Sequence, residues 1–537
     1  MAVRFRLDGR PVEVARDGVT LLDALREDLG VRSVKDGCSP QGQCGCCTVL
    51  VEGAPRVACV TPLRRVEGRD VLTVDGLDRQ VRDRLVGAFV AHGASQCGFC
   101  TPGIVCRLAA LGAADAEKVQ TALLAHLCRC TGWRTILDAA LTAAAPTFAP
   151  HPAGAHDGFD EAAAARRATI EGGAAQQVGP GVVLGRGGFA DDTAPPGCLV
   201  AVPDGAGGWA VGETLAEARN AAGKVQGRRS GRPLAYPLEV PEGDWDLTLQ
   251  TTWVEPAYLE VDASWCEPGG MPASPAANGG DFGAKRTSPA PAAARALADR
   301  HGRAVRVVLS REDAVRLGAK RPPAAAGIRL DGTGVLRLAA AAEPGVLAAA
   351  ARSAAPGLHV EEVPVVGPPV SPHVRAAGWA EAAVLLAAAR SAGAGGGAAG
   401  TATAAVASPE GATAQAKVDL DGRGWPRLVW LEVDAGEPLS EVTLRSYLVG
   451  AAHMALGWVL SEGIAVGDDG VPEDLTIRSF GVLRARDTPP VEVRIHPTRN
   501  EPKRASDAAF AAVAAAAWIA LGLPARWPVR RADTLGR

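Results

Sequence analysis

The chain has no surplus of charge: 56 Lys and Arg stand against 59 Asp and Glu in 537 residues, a formal net charge of −3. Without a long run of one sign, neither nucleic acid nor an anionic membrane is expected as a partner. Long apolar runs are also missing. The longest, AAFAAVAAAAWIALGL near the C-terminus, is short and alanine-rich for a spanning helix, and the opening MAVRFRLDGRPVEVARDG has no apolar signal core. Cysteine nearly vanishes after Cys130, where only Cys198 and Cys266 remain, too scattered for a disulfide framework. The expectation is a soluble, cytoplasmic protein whose thiols stay free, long enough for several domains with sizeable cores.

What is present is concentrated at the start. Ten of the twelve cysteines lie between Cys38 and Cys130, in two groups. The first follows two short strands, residues 2–7 and 11–15, around the turn Leu7-Asp8-Gly9-Arg10, and an amphipathic helix Leu21 to Leu29. Its glycine-rich loop Gly37-Cys38-Ser39-Pro40-Gln41-Gly42-Gln43-Cys44-Gly45-Cys46-Cys47 is followed by the hairpin Thr48 to Gly53 and then Cys59. A long cysteine loop with one distant fourth ligand is the plant-type 2Fe-2S arrangement, and glycines let backbone N–H groups approach the sulfurs. Tetrahedral zinc is the alternative. Zinc sites pair two short knuckles, however, which the C-x5-C-x2-C-x11-C order of Cys38, Cys44, Cys47 and Cys59 does not. Cys46 is left as a neighbour.

The second group sits in Gln96-Cys97-Gly98-Phe99-Cys100-Thr101-Pro102-Gly103 and Leu127-Cys128-Arg129-Cys130-Thr131-Gly132-Trp133. Each pair precedes a helix start, with Thr101 and Thr131 as expected N-caps, so two helix dipoles would face one anionic thiolate group. Helices are expected at Gln80 to His92, Ile104 to Leu111, Ala116 to Leu127 and Trp133 to Ala144. Cys106 reads as a core residue. A thioredoxin-like redox motif would leave the second pair unexplained.

These segments resemble the iron–sulfur domains of the xanthine dehydrogenase and aldehyde oxidoreductase family of molybdenum hydroxylases, with motifs GC-x4-C-G-x-C-T-V, QCGFCTPG and LCRCTGY. Trp133 replaces the usual Tyr, His126 a usual Asn, and the first motif has one extra residue between Cys38 and Cys44. The resemblance implies that Cys38, Cys44, Cys47 and Cys59 hold an outer 2Fe-2S cluster and Cys97, Cys100, Cys128 and Cys130 an inner one, with Gln96 and Cys130 beside a molybdopterin.

Weaker fragments continue the likeness. Gly185 to Asp192 resembles the family's G-x-A-x-Y-A-D-D, Glu255-Pro256-Ala257-Tyr258-Leu259-Glu260 its segment before the glycine loop, and Gly279-Gly280-Asp281-Phe282-Gly283-Ala284-Lys285 the loop G-G-G-F-G-G-K. Gly279, Gly280, Phe282 and Gly283 are thereby implied as cofactor contacts. Val305 to Glu312 resembles the strand and S-R-E turn that follow. Val374 to Ala382 resembles the segment that carries an active-site arginine, here Arg375; the plain alternative is a surface strand residue. Gly450 to Glu462 resembles a later helix. The catalytic base of the family lies in G-x-G-E-P-P-L; here Glu501-Pro502 is the Glu-Pro pair at that place, without the glycines, and its alternative is a solvated loop charge.

The implied architecture is α+β and multidomain: a plant-type ferredoxin-like β-grasp domain over 1–76, a four-helix 2Fe-2S domain over 77–147 and a linker over 148–180. A shortened α+β molybdopterin-binding-like region follows as 181–330, an Ala/Gly-rich contracted stretch 331–418, and 419–537. Ala387 to Ala416, mostly Ala, Gly, Ser and Thr, is expected to bury little and to be flexible. Two functions follow. One is a hydroxylase acting on an N-heterocycle or aldehyde with water, sending electrons from a molybdenum cofactor through two 2Fe-2S clusters; no FAD is expected in this chain, so a separate FAD subunit or other acceptor takes them. The alternative is an electron-transfer subunit or degenerate paralogue without an active molybdenum site. A homo-oligomer accords with the family.

Overall fold

The computed structural model describes all residues except Met1, 113–114, 149–158, 224–226, 228, 277, 395–399 and 530–537. The first layer is a five-stranded sheet in the order Arg10–Val14, Val3–Leu7, Asp70–Leu72, Thr48–Val51, Ala54–Val57. Val3, Phe5 and Leu7 are buried and Arg4 and Arg6 exposed, the period-two pattern of a half-buried strand. Val3–Leu7 runs parallel to Asp70–Leu72 and antiparallel to its hairpin partner, and a short helix lies on the sheet, as in a β-grasp. That helix is three residues, Leu21–Asp23, closed by a Thr20/Asp23 capping box, and passes into a π-turn over Ala24–Asp28. The expected continuous helix from Leu21 to Leu29 is thus wound wider in its second half.

Four helices follow: Arg79–Ala91, Thr101–Ala109, Ala116–Leu123 and Arg134–Ala144. The third stops short of the expected Leu127, because the chain turns to bring Cys128 inward. The two threonine caps are corrected. Thr101 is the first residue of its helix and Cys100 the cap, without a side-chain bond; Trp133, at φ 69°, caps the last. Thr131 instead places its hydroxyl 3.1 Å from Cys128 Sγ.

The expected linker is not featureless. Pro150 to Ala155 lies outside the described residues, but Glu161–Gly172 is a helix capped by Asp160, with Arg167 and Glu171 fully buried as an ion pair.

Three four-stranded sheets build the rest. The first runs Trp209–Gly212, Leu199–Pro203, Val305–Val308, Ala263–Cys266; the second Leu358–Val363, Gly334–Ala339, Ala324–Ile328, Leu247–Gln250; the third Thr401–Ala407, Thr413–Leu420, Pro426–Asp434, Val491–Ile495. The expectation of a flexible Ala387 to Ala416 is overturned for its described residues, 395–399 lying outside them: Thr401–Ala407 pairs along its whole length with Thr413–Leu420. Ala402, Ala404, Ala414 and Ala416 point inward against the helix Ser506–Ala520, of which every residue but Asp507 is buried. Alanine on both faces lets helix and sheet approach closely, so a composition that looks core-poor forms a dense core. The helices Trp379–Gly393 and Glu441–Leu460 complete it. Among the described residues, no helix is long and apolar enough to cross a membrane.

Candidate functional site: two thiol groups and a closed lobe

The cysteine loop and the hairpin behind it bring the first group together. The Cys38 thiol shares hydrogen bonds with those of Cys44 and Cys59, and Cys59 with that of Cys47. The N–H of Gln41 donates to Cys38 Sγ at 3.2 Å and that of Cys59 to Cys47 Sγ at 3.4 Å. All four side chains are buried. Gly37 leaves room for the sulfurs, since a Cβ there would sit tightly at 3.0 Å from Cys46 Sγ, 3.1 Å from Cys44 Sγ and 3.3 Å from Leu259 O. Sharing hydrogen bonds drives the Cys38 thiol down to about 2 while Cys44 and Cys59 rise far above the ordinary thiol range. A cationic centre would hold all four as thiolates.

The second group is similar. Cys130 and Cys97 thiols are 3.5 Å apart, and Cys100 and Cys128 share a hydrogen bond. Among the described residues no three His, Cys, Asp or Glu side chains close around a single-ion position. Eight thiols in two groups of four, with backbone donors aimed at sulfur, suit two 2Fe-2S clusters as a donor set.

Gly103 joins the groups. A Cβ on it would lie 2.4 Å from Gly45 O and 2.7 Å from Cys46 O, so the second helix of the four packs directly on the first cysteine loop. Cys46 is buried between the groups, its thiol hydrogen-bonded to Cys44 and within electrostatic reach of Cys128 and Cys100. Cys106 is buried in the core, apart from both.

The second lobe is tied to this segment by contacts that the motifs did not foretell. Asp191 and Asp192 accept from the Arg26 guanidinium at 2.6 and 3.0 Å, Asp192 also pairs with Lys35, and Arg306 bridges Asp191 and Glu27. Burial pushes Asp191 up, but the guanidinium groups of Arg306 and Arg26 outweigh it and hold the carboxyl well below its usual range. Arg311 donates to Gly37 O and Leu259 O, both at 2.8 Å. Arg129, between the two cysteines of its motif, forms a buried two-pronged pair with Glu462 at 2.5 and 2.7 Å.

The expected cofactor residues meet here in part. Gln96 Nε2 donates to Cys130 O at 3.0 Å and to Ser446 Oγ at 2.9 Å, so its amide is already engaged. Gly280 lies on the second thiol group: a Cβ would be 2.9 Å from Cys97 Cβ and 3.3 Å from Cys130 Sγ. Gly279 is backed by Gln176 and Gly283 by His373 O, so protein atoms occupy the places where an open glycine cradle would admit a ligand.

Arg375 is buried, not a surface strand residue. Its guanidinium lies 5.2 Å from the Phe282 ring centroid and 5.4 Å from that of Phe510, with Nη2 at 3.3 Å from Met454 Sδ. Burial lowers it to about 10. The cavity it lines with Phe282, Arg321 and Trp458 measures about 30 Å³. That is room for about one water, against roughly 300–1,000 Å³ for a cofactor site. Molybdopterin therefore does not fit among these residues as they stand. Glu501 is exposed on the loop after Val491–Ile495 and does not line that cavity. A cleft of about 1630 Å³, between the segment from Arg16 to Arg32 and the sheet of Leu199–Pro203, includes none of the expected cofactor residues.

Comparison with known proteins adds to this geometry. A 2Fe-2S iron-sulfur cluster binding domain matches residues 5–70 and a [2Fe-2S] binding domain residues 73–141. Over 146 residues, 26% of this chain, the sequence is 41% identical to the nicotine 6-hydroxylase small subunit of Paenarthrobacter nicotinovorans and covers 88% of it. It is 41% identical over 135 residues, 23% of this chain, to the aldehyde oxidoreductase of Megalodesulfovibrio gigas, of which it spans only 15%. The aldehyde oxidoreductase structure from Desulfovibrio desulfuricans superposes with a TM-score of 0.72 at 14% identity, covering 98% of this chain and 99% of that one. The fold is thus shared well beyond the segment in which sequence identity is detectable.

Proposed function

Because the chain belongs to the xanthine dehydrogenase and aldehyde oxidoreductase family, we propose that it is the electron-carrying iron–sulfur component of a molybdenum hydroxylase-type oxidoreductase. Cys38, Cys44, Cys47 and Cys59 hold one 2Fe-2S cluster; Cys97, Cys100, Cys128 and Cys130 hold the other. Hydroxylation of an N-heterocycle or aldehyde with water releases two electrons, and the clusters these cysteines would hold would supply the one-electron chemistry for handing them singly to a separate acceptor. The observation that carries this reading is the pair of four-thiol groups held against each other at Gly103.

What the chain's own residues do is bind and insulate. Thiolates fix the iron, backbone N–H groups donate to sulfur, and the second lobe covers the inner group through Gly280 and the Gln96–Ser446 bond. The closed cavity at Arg375 supports a substrate-oxidising centre on a partner subunit, a division consistent with relatives that are themselves named as small or iron–sulfur subunits. A flavin likewise belongs on a partner. Free thiols in this number fit a reducing compartment, and we place the protein in the cytoplasm.

Elemental and spectroscopic analysis of the chain matured in a competent host tests the reading. About four iron and four acid-labile sulfide per chain, with visible absorbance bleached by dithionite, are expected. Zinc in their place would overturn it. The second reading, in which the chain itself hydroxylates substrate, draws on the whole-chain fold; molybdenum and pterin near stoichiometry with the isolated chain would favour it.

A further inference from the structure

A groove of about 480 Å³ runs along the surface beside the first thiol group, lined in part by Arg56, Arg64, Arg65 and Arg69 with Glu67 as its single acid. All four arginines are exposed, and among the described residues none of them has an ion-pair partner. Their acidic neighbours are otherwise engaged: Glu67 accepts from the Arg4 N–H at 2.8 Å, Glu52 from the Asp70 N–H at 2.6 Å, and Asp70 pairs with Arg6 at 3.1 Å. Four free positive charges on a chain of net charge −3 make a local field opposite in sign to the whole.

At the rim of the groove sits Val60, 58% exposed, immediately after Cys59, which is 3% exposed. Val60 covers the cysteine loop, its Cγ1 lying 2.9 Å from where a Cβ on Gly42 would be. Val60, Pro62 and Arg64 also line the 1630 Å³ cleft, so groove and cleft are continuous across this point. An apolar contact point over the first thiol group, beside unpaired arginines, has the composition of a binding surface: Arg-rich, with a small apolar centre.

We propose that this face, centred on Val60 and bounded by Arg56, Arg64, Arg65 and Arg69, docks an acidic one-electron redox protein that takes electrons from the first cluster. The proposal rests on the cluster assignment made above and deepens it by naming the exit and the charge of its partner. In each transfer a reduced cluster, one ferric and one ferrous iron, returns to two ferric irons, and the acceptor's metal gains that electron. Long-range attraction speeds encounter and is screened by salt.

The test uses the full chain, reduced with dithionite and freed of excess, mixed rapidly with ferric cytochrome b5, an acidic haem protein, or ferric cytochrome c, a basic one. Between about 20 and 300 mM salt the second-order rate constant for cytochrome b5 should fall about tenfold or more, and that for cytochrome c should stay flat or rise. Joint replacement Arg64→Glu and Arg65→Glu should lower the cytochrome b5 rate at low salt by about tenfold while oxidation by neutral benzoquinone is unchanged. A cytochrome b5 rate indifferent to salt, a cytochrome c rate that falls with salt, or a doubly substituted protein as fast as the parent would overturn the docking surface. The salt series on the unaltered chain decides the matter even where the substitutions disturb folding. A chain with no iron and no dithionite-bleachable absorbance would sink the cluster assignment itself, a separate outcome from clusters that reduce normally but discharge without regard to charge.

Discussion

The iron–sulfur segment and the lobe behind it both carry glycine-rich family motifs, yet they use their glycines for opposite ends. In the segment, Gly37 makes room for sulfur and Gly103 lets one cysteine loop rest on a helix. In the lobe, the places beside Gly279, Gly280 and Gly283 are filled by Gln176, the Cys97 side chain and the His373 carbonyl. A motif prescribes a path for the backbone. A binding cavity is what the surrounding elements leave empty, and the same path can border a site or a solid core.

The largest effect that would test this contrast is on metal content. Cys100→Ser should reduce iron from about four to about two per chain and remove one of two paramagnetic signals after reduction, whereas Arg375→Met should leave both; equal losses would erase the distinction between the regions. Next is the bond between them. Glu462→Gln leaves the Arg129 guanidinium buried with half its partner gone, and thermal unfolding should register a loss of about 3–5 kcal/mol. Gly103→Ala forces a methyl group against Gly45 O and Cys46 O and should cost about 1–3 kcal/mol, with Gly181→Ala, a helical glycine that meets open space, as the control for adding a methyl without a clash. At the bottom of the scale, Glu501→Gln should alter stability by no more than about 0.5 kcal/mol and leave the visible spectrum unchanged, because the side chain is exposed. A larger shift would restore that residue to the site.

The thiol groups were legible because their ligands come in short, ordered spacings between Cys38 and Cys130, so local sequence carried nearly the whole constellation. Arg129 and Glu462, 333 positions apart, had no such trace; only the fold brings them together. The stretch around Thr401–Ala407 was misread for a physical reason. Alternating Thr and Ala is the period of a half-buried strand, but alanine contributes so little apolar area that composition masked the alternation. Arg375 was placed in the right neighbourhood by its motif, while the absence of space around it depended on Phe282, Met454 and Phe510 arriving from three different elements. Likewise the helix Glu161–Gly172 hid in an alanine-rich connector, its Arg167 satisfied by the carbonyls of Pro438 and Lys503 far along the chain.

The contact of Gly280 with the cysteines of the second group has a consequence for biogenesis. Once the glycine loop lies on Cys97 and Cys130, with Gln96 bonded to Ser446, the second lobe covers the inner group, of whose four cysteines only Cys97 stays partly exposed. Iron and sulfide are therefore expected to enter most easily before the lobe closes, while the cysteine-bearing segment is still uncovered. Late repair of a damaged inner centre would have to loosen that cover, which the buried Arg129–Glu462 pair opposes.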